Sequence, residues 1–281
     1  MIEQAHGLTD PVLEAIADLE RRVVAADGGR LKLEWGTLRR RPTDQVRDLL
    51  WWDGEQLLGF LGIYGFNWQH LELTGMVHPD ARRRGIAKAL FAAALPICRE
   101  QEKDRLLTVV PRTSPGGRQF ALGAGMSYEH SEHALTLAVR PGGTATSELN
   151  LRQATPEDIP TLSELYLDGF GDARVDPERL AGERSLTLMI DRAGVAVGTV
   201  ALALDGERSA IYGFVVGAEQ RRKGIGREVL RRICQDQFDA GASHVDLEVE
   251  VDNDRALGLY TTVGFEPVTT EDYYQLMLQP S

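Results

Sequence analysis

Residues 221–226 read Arg221-Arg222-Lys223-Gly224-Ile225-Gly226, and residues 82–87 read Arg82-Arg83-Arg84-Gly85-Ile86-Ala87. Each stretch follows an apolar, β-type run and opens an amphipathic helical pattern. The two motif glycines lie 139 positions apart, and forty residues beyond each stands another glycine, Gly125 and Gly264. Val77 and Val216, Ile86 and Ile225, and Val110 and Val249 keep the same offset of 139. Motifs repeated without a gap at this distance mark a duplicated domain, since solenoid repeats are far shorter. The segment from Arg140 to Ser147 is rich in Gly, Thr and Ser and reads as a connection. The expected division is therefore an N-terminal domain over 1–142, a linker at 143–148 and a C-terminal domain over 149–281.

Working outward through the second copy, a short strand is expected from Leu151. A helix start follows at Thr155-Pro156-Glu157-Asp158, with Thr155 as N-cap and Pro156 in the first turn. Strands are predicted over 185–190, 195–204 and 211–216, with Asp205-Gly206 as a hairpin turn. Ile225, Val229, Leu230, Ile233 and Phe238 share one face of the helix after the motif, which should stop near Gly241. Residues 245–251 alternate as a strand, a short helix surrounds Leu257–Tyr260, and 274–278 closes as a strand. The first copy matches from about Leu73. Residues 57–64 read as a strand, residues 1–45 as largely helical and irregular, and Pro96 should kink its helix. The fold class is α+β, each domain a central mixed, mostly antiparallel sheet flanked by helices.

Composition narrows the partners. The chain has 281 residues, 43% apolar and 26% charged, which is the make-up of a globular protein. No leader pattern opens it, and the longest apolar run, 89–98, is about half a membrane span. Cys98 and Cys234 sit at apolar helical spacing and read as buried free thiols, not as a disulfide framework or zinc site. No metal is expected, and the setting is expected to be cytoplasmic. Residues 1–142 are charge-balanced, so the whole net charge of −11 lies in the second half. An acidic half disfavours nucleic acid and anionic membrane and suits a cationic partner.

The glycine motif carries the chemistry. Free N–H groups in a helix's first turn, with the helix dipole, bind phosphate. Gly224 and Gly226 allow close backbone approach, and the Arg/Lys cluster adds positive charge. Position 229 is Val, which excludes the dinucleotide fingerprint, and the nucleotide P-loop string is absent.

The pattern Arg-x-x-Gly-x-Gly/Ala between strand and helix resembles the acetyl-CoA motif of the GNAT superfamily of N-acetyltransferases. Residues 253–265, from Asn253 through Ala256, Tyr260 and Gly264 to Phe265, resemble that superfamily's second motif. The tandem arrangement is similar to two-domain members of the mycothiol synthase type. The resemblance implies that acetyl-CoA is the co-substrate and that two sheet strands splay apart around its pantetheine arm. It implies that Phe214, Val215 and Val216 line that arm, that Arg221, Arg222, Lys223, Gly224, Ile225 and Gly226 hold the diphosphate, and that Asn253 belongs to the same site. Arg82, Arg83, Arg84, Gly85, Ile86 and Ala87 are the matching positions of the first copy. Tyr260 is implied as the acid that protonates the departing thiolate.

Copy one departs from this pattern: position 121, matching Tyr260, is Ala, and position 114, matching Asn253, is Ser. It is therefore expected to be non-catalytic. In many family members the base lies on the strand before the glycine motif, but residues 209–216 contain no carboxylate. Glu72 stands near that place in the first copy. Asp246, Glu248, Glu250 and Asp252 share one strand face, with Glu248 or Glu250 the candidate base. Asp168, Asp172 and Asp176 lie in the connection that lines the acceptor site in the family. The function expected is acetyl transfer to a primary amine of a small molecule or peptide. The alternative is a non-catalytic acyl-CoA-binding sensor or scaffold.

Overall fold

The computed structural model describes all residues except 67–68, 144–147, 178–179, 183–184, 206 and 279–281. The chain divides into two compact units: one holds Met1–Glu132 and the segment from Thr269 onward, the other His133–Val268.

The first unit begins with β1 (Ile2–His6), α1 (Asp10–Asp27) and α2 (Trp35–Leu38). The strands β2 (Val46–Asp53), β3 (Gln56–Tyr64) and β4 (His70–Val77) form an antiparallel meander. Then come α3 (Ile86–Arg99), β5 (Arg105–Pro111), α4 (Pro115–Gly123) and β6 (Ser127–Leu137). One face of its sheet packs Ile63, Leu71 and Leu73 against Ile86, Leu90 and Ala94 of α3. The other face packs Phe60, Tyr64 and Met76 against Ile16, Leu19 and Val23 of α1.

The second unit contains β7 (Leu149–Gln153), α5 (Ile159–Phe170), β8 (Ala181–Gly182), β9 (Ser185–Arg192), β10 (Val195–Asp205) and β11 (Arg208–Val216). It continues with α6 (Ile225–Asp239), β12 (His244–Glu250) and α7 (Asp254–Val263), and β13 (Glu266–Met277) leaves it. Its strands run in the order β12-β11-β10-β9-β7. Val229, Leu230 and Ile233 of α6 bury against Val200, Ile211, Val245 and Leu247, while Leu162 and Leu165 of α5 cover Met189 and Val215 on the opposite face.

Several expectations change in detail. Residues 2–6 are a strand paired with β2, not irregular chain; only Ala5 among them is buried, so no alternation betrayed it. The helix α3 runs through Pro96 to Arg99, because the proline stands in its last turn. The box Thr155–Asp158 forms, with the Thr155 N–H donating to Asp158 at 2.9 Å, but it caps a 3₁₀ turn at Pro156–Asp158 that leads into α5. Asp205 pairs with Arg208 across the expected hairpin, whose Gly206 lies outside the described residues, as do 144–147 of the linker. The division also departs from the expected 142/149 boundary. Residues 271–277 of β13 pair antiparallel with 105–111 of β5 and so complete the first unit's sheet, while Leu135 and Leu137 of β6 join the second unit's core. Cys98 and Cys234 are free and buried, and burial pushes both thiols up to about 12.

Candidate active site

In the second unit β11 and β12 pair in parallel only over Arg208–Ile211 and His244–Leu247. Beyond that level β11 runs on to Val216 and β12 to Glu250, so a cleft opens between them at the end facing the glycine loop. The same parting occurs in the first unit, where β4 and β5 pair only over His70–Leu73 and Arg105–Thr108.

The glycine loops also share a backbone. Arg222 and Gly224 have φ of 64° and 82°, and Arg83 and Gly85 have 65° and 84°. Gly224 is glycine for this left-handed turn, since a Cβ there would meet open space. Gly226 answers a different need: a Cβ would lie 3.3 Å from Leu259 of α7, close to Val216 and Phe214. Strand end, helix start and second motif therefore converge at that glycine.

Arg221 does something other than face outward to an anion. Its Nε donates to the Val216 carbonyl at 2.8 Å, and its guanidinium pairs with Asp168 of α5. Arg82 repeats this with the Val77 carbonyl and, bidentately at 2.8 and 2.9 Å, with Asp27 of α1. The first arginine of each motif ties the loop to the preceding strand and helix. Arg222, Lys223 and Gly224 are exposed, as are Arg83, Arg84 and Gly85, while Ile225 and Ile86 anchor each helix in its core.

A bulge separates the two copies. Opposite Thr199–Ala201 of β10, β11 advances from Val215 to Tyr212, one residue more than its partner. Gly213 takes φ 57° there. A bulge turns backbone polar groups out of the ladder, here on the cleft side of the sheet's parting. Gly198 makes the approach possible, because a Cβ would stand 2.5 Å from the Val215 carbonyl. Register between β3 and β4 is regular from Gly59–Val77 to Tyr64–Glu72, so the first unit has no counterpart.

Asn253 accepts a hydrogen bond from the Ala256 N–H at 3.1 Å and caps α7; Ser114 caps α4 in the same way from Gly117. This cap role uses the Asn253 side-chain oxygen. Tyr260 is 9% exposed within the core, edge-on to Phe265, and its hydroxyl has no hydrogen-bond partner among the described residues. Burial pushes its phenol up to about 12, so it remains a proton donor through the neutral range. Ala121, its counterpart, is fully buried.

Along β12 the carboxylates face away from the buried Val245, Leu247 and Val249. Asp246 is held by Arg208 at 2.8 Å. Glu248 is half-buried and is the first residue past the last paired position, while Glu250 is exposed further along. Of the three acids after α5's middle, Asp168 is engaged with Arg221 and Asp172 with Arg174, which holds its carboxyl below the usual range. Asp176 lines a cavity of about 320 Å³ beside the bulge. Tyr166, Phe170, Val175, Leu180 and Tyr212 form its walls, with Thr187 and Gly213 completing them. Sequence reading missed this cavity; the one local signal was an isolated glycine, Gly213, inside a strand pattern.

On the corresponding sheet face of the first unit there is a polar cluster. Lys32 pairs with Glu72 at 3.5 Å and donates to the Tyr273 hydroxyl at 2.9 Å, which in turn donates to Glu132 at 2.7 Å. Burial alone would raise the Glu72 carboxyl, but Lys32 and His70 hold it below its ordinary value. His130 stacks on Tyr273 with ring centroids 4.2 Å apart.

Known proteins share this fold. The model of the acetyltransferase (GNAT) family matches residues 13–121 and again 151–265. A GCN5-related N-acetyltransferase from Sphaerobacter thermophilus superposes with a TM-score of 0.77 at 16% identity, covering 100% of this chain and 96% of its own. A tandem GNAT protein from the clavulanic acid biosynthesis pathway gives 0.68 at 20% identity over 100% of both chains. A putative acetyltransferase from Pyrococcus horikoshii gives 0.65 at 17% identity over 99% of this chain and 89% of its own. These structures share the fold, and the twice-matched family model covers most of the chain: it belongs to the acetyltransferase (GNAT) family, as a tandem of two GNAT domains.

Proposed function

We propose that the C-terminal unit transfers acetyl from acetyl-CoA to a primary amine. The observation that carries this reading is the bulge at Gly213, set at the parting of β11 and β12 and joined through Gly226 to the helix bearing Tyr260. The residues fit such a thioester. The exposed loop 222–224 and the first-turn amides of α6 suit a diphosphate, and the separated ends of β11 and β12 leave room for an extended arm along Phe214–Val216.

In the reaction the amine nitrogen forms a bond to the thioester carbonyl carbon, and the carbon–sulfur bond breaks. Tyr260 gives its proton to the departing sulfur. The amine's proton goes to a carboxylate on β12, directly or through water. Glu248 is better placed than Glu250, because it stands where the strands part. Asn253 supports the site by capping the helix that carries Tyr260.

A second reading applies to the first unit. Its loop, Arg82–Ala87, has the same backbone and the same strand parting, without the bulge or the tyrosine. It binds acyl-CoA without turning it over, through Arg83, Arg84, Gly85 and the α3 amides. No helix among the described residues is long and apolar enough to cross a membrane. The acidic C-terminal half argues against nucleic acid and anionic membranes as partners, and buried free thiols fit a cytoplasmic setting.

The test is CoA release by the intact chain over a panel of amines, together with calorimetric titration of acetyl-CoA. Binding and release are expected. Binding without release from any amine favours the sensor, and no binding at millimolar acetyl-CoA removes both readings.

A further inference from the structure

We infer that the acceptor of the C-terminal unit is a small primary amine with an apolar, preferably aromatic, body, seated in the cavity beside Gly213. The inference rests on reading that unit as an acetyl-transferring one and names the class of molecule it takes.

Size comes first. The cavity of about 320 Å³ has room for about ten waters, which suits a molecule of one ring with a short arm. Its walls decide the chemistry. Two tyrosine rings, one phenylalanine ring, Val175 and Leu180 surround the space, and among the described residues the polar side chains of the lining are Thr187, Asp176 and the two phenols. One of those phenols, Tyr212, shares a hydrogen bond with Ser185 at 2.6 Å. These ring faces and aliphatic groups complement an apolar body better than a polyhydroxylated or polycationic one. An apolar body loses nothing there.

A second observation agrees. Phe170 and Tyr212, both wall residues, remain 57% and 37% exposed. Aromatic surface left open around a concavity is surface that a ligand covers. Asp176 is the carboxylate among the described lining residues, and together with the ring faces it suits an ammonium group. The cavity reaches the sheet at Gly213, the residue whose bulge opens the cleft, so an amine on a short arm can point toward the parting of β11 and β12.

The test titrates the intact chain calorimetrically with phenethylamine, 2-phenylethanol, spermidine and glucosamine, and follows CoA release with the same compounds. Phenethylamine is expected to bind at least about tenfold more tightly than spermidine or glucosamine. Phe170→Ala, at a largely exposed position that tolerates change, should weaken it about tenfold, and Leu180→Trp, which fills the cavity, should abolish binding. Asp176→Asn should narrow the gap between phenethylamine and its uncharged alcohol. Tighter binding of glucosamine or spermidine, no binding of phenethylamine at 10 mM (about the weakest affinity worth the name), or binding indifferent to both Phe170→Ala and Leu180→Trp overturns the inference. Release of CoA with the polar amines alone also overturns it while leaving acetyl transfer intact. Phenethylamine bound in the cavity with no CoA release from any amine upholds the pocket's preference and instead removes acetyl transfer.

Discussion

Arg221 holds Asp168 across the gap between the glycine loop and α5, and Arg82 holds Asp27 of α1 in the same way. The arginine that opens each motif is thus a brace. It fixes the loop against the helix that precedes it, while its Nε closes on the last carbonyl region of the strand, at Val216 or Val77. On the proposed reading diphosphate binding falls to the residues that follow, whose left-handed turns are the same in both units to within a few degrees.

The first prediction concerns that brace. The Arg221–Asp168 pair is about one-third exposed on each side, and such pairs are worth about 0.2–1 kcal/mol. Arg221→Ala and Asp168→Asn should each weaken acetyl-CoA about two- to fivefold, with kcat unchanged. Steady-state kinetics separate the cases: an equal fall in kcat would place Arg221 at the reacting atoms and refute its role as a brace.

Gly213 should be intolerant of any side chain. Its φ of 57° disfavours L-residues, by about 1–2 kcal/mol, and a Cβ would lie 3.4 Å from the Tyr166 hydroxyl. Gly213→Ala should lower stability by about that amount and turnover by more than tenfold, because regular pairing with β10 would become preferable to the bulge. Denaturant titration and CoA release on the same preparation check both. Full turnover in a destabilised variant would mean the bulge does not position the reaction.

Tyr260→Phe isolates the hydroxyl. The ring is buried and packed on Phe265, but the hydroxyl has no protein partner among the described residues, so stability should stay within about 0.5 kcal/mol. Turnover should fall about 10²-fold, the usual scale for a positioned acid, with acetyl-CoA affinity nearly unchanged. Since burial pushes its phenol up to about 12, the wild-type kcat profile should show no alkaline loss from this group below about pH 11. A variant with wild-type turnover would take Tyr260 out of the chemistry.

The sequence carried these positions unequally. Gly224, Gly226, Tyr260, Gly264 and Phe265 stand at fixed short spacings, because one helix start and one helix end demand them, and local patterns expose such demands. The pairing of β13 with β5 leaves no such trace: alternation tells that Tyr273 and Tyr274 face opposite sides, not which distant strand lies beside them. The cavity was equally hidden. Its walls come from α5, from Val175, Asp176 and Leu180, and from β9 and β11, and no one segment reads as a pocket. Asn253 and Arg221 were legible as motif positions but not in what they bond to, since a cap and a brace depend on which groups lie across from them.

The last prediction uses the first unit's buried pair. Lys32 and Glu72 are 10% and 11% exposed at the side chain. Glu72's folded pKa is depressed, despite burial, by Lys32 and then His70. A depressed carboxylate contributes stability above its unfolded value, near 4.3, and that contribution is lost as pH falls through the folded pKa. Lys32→Met removes the main source of the depression, so burial dominates and the sign reverses: the variant should become relatively less stable as pH rises through the neutral range. At pH 7 the loss should be about 3–5 kcal/mol, the scale for stranding one partner of a buried pair. Adding Glu72→Gln should recover most of it, because the stranded charge is gone. Thermal melts of the parent and the two variants from pH 4 to pH 8 test the argument. A Lys32→Met protein whose stability tracks the parent's at every pH would show that the carboxylate finds water or another cation, and that Lys32 is not what keeps it charged.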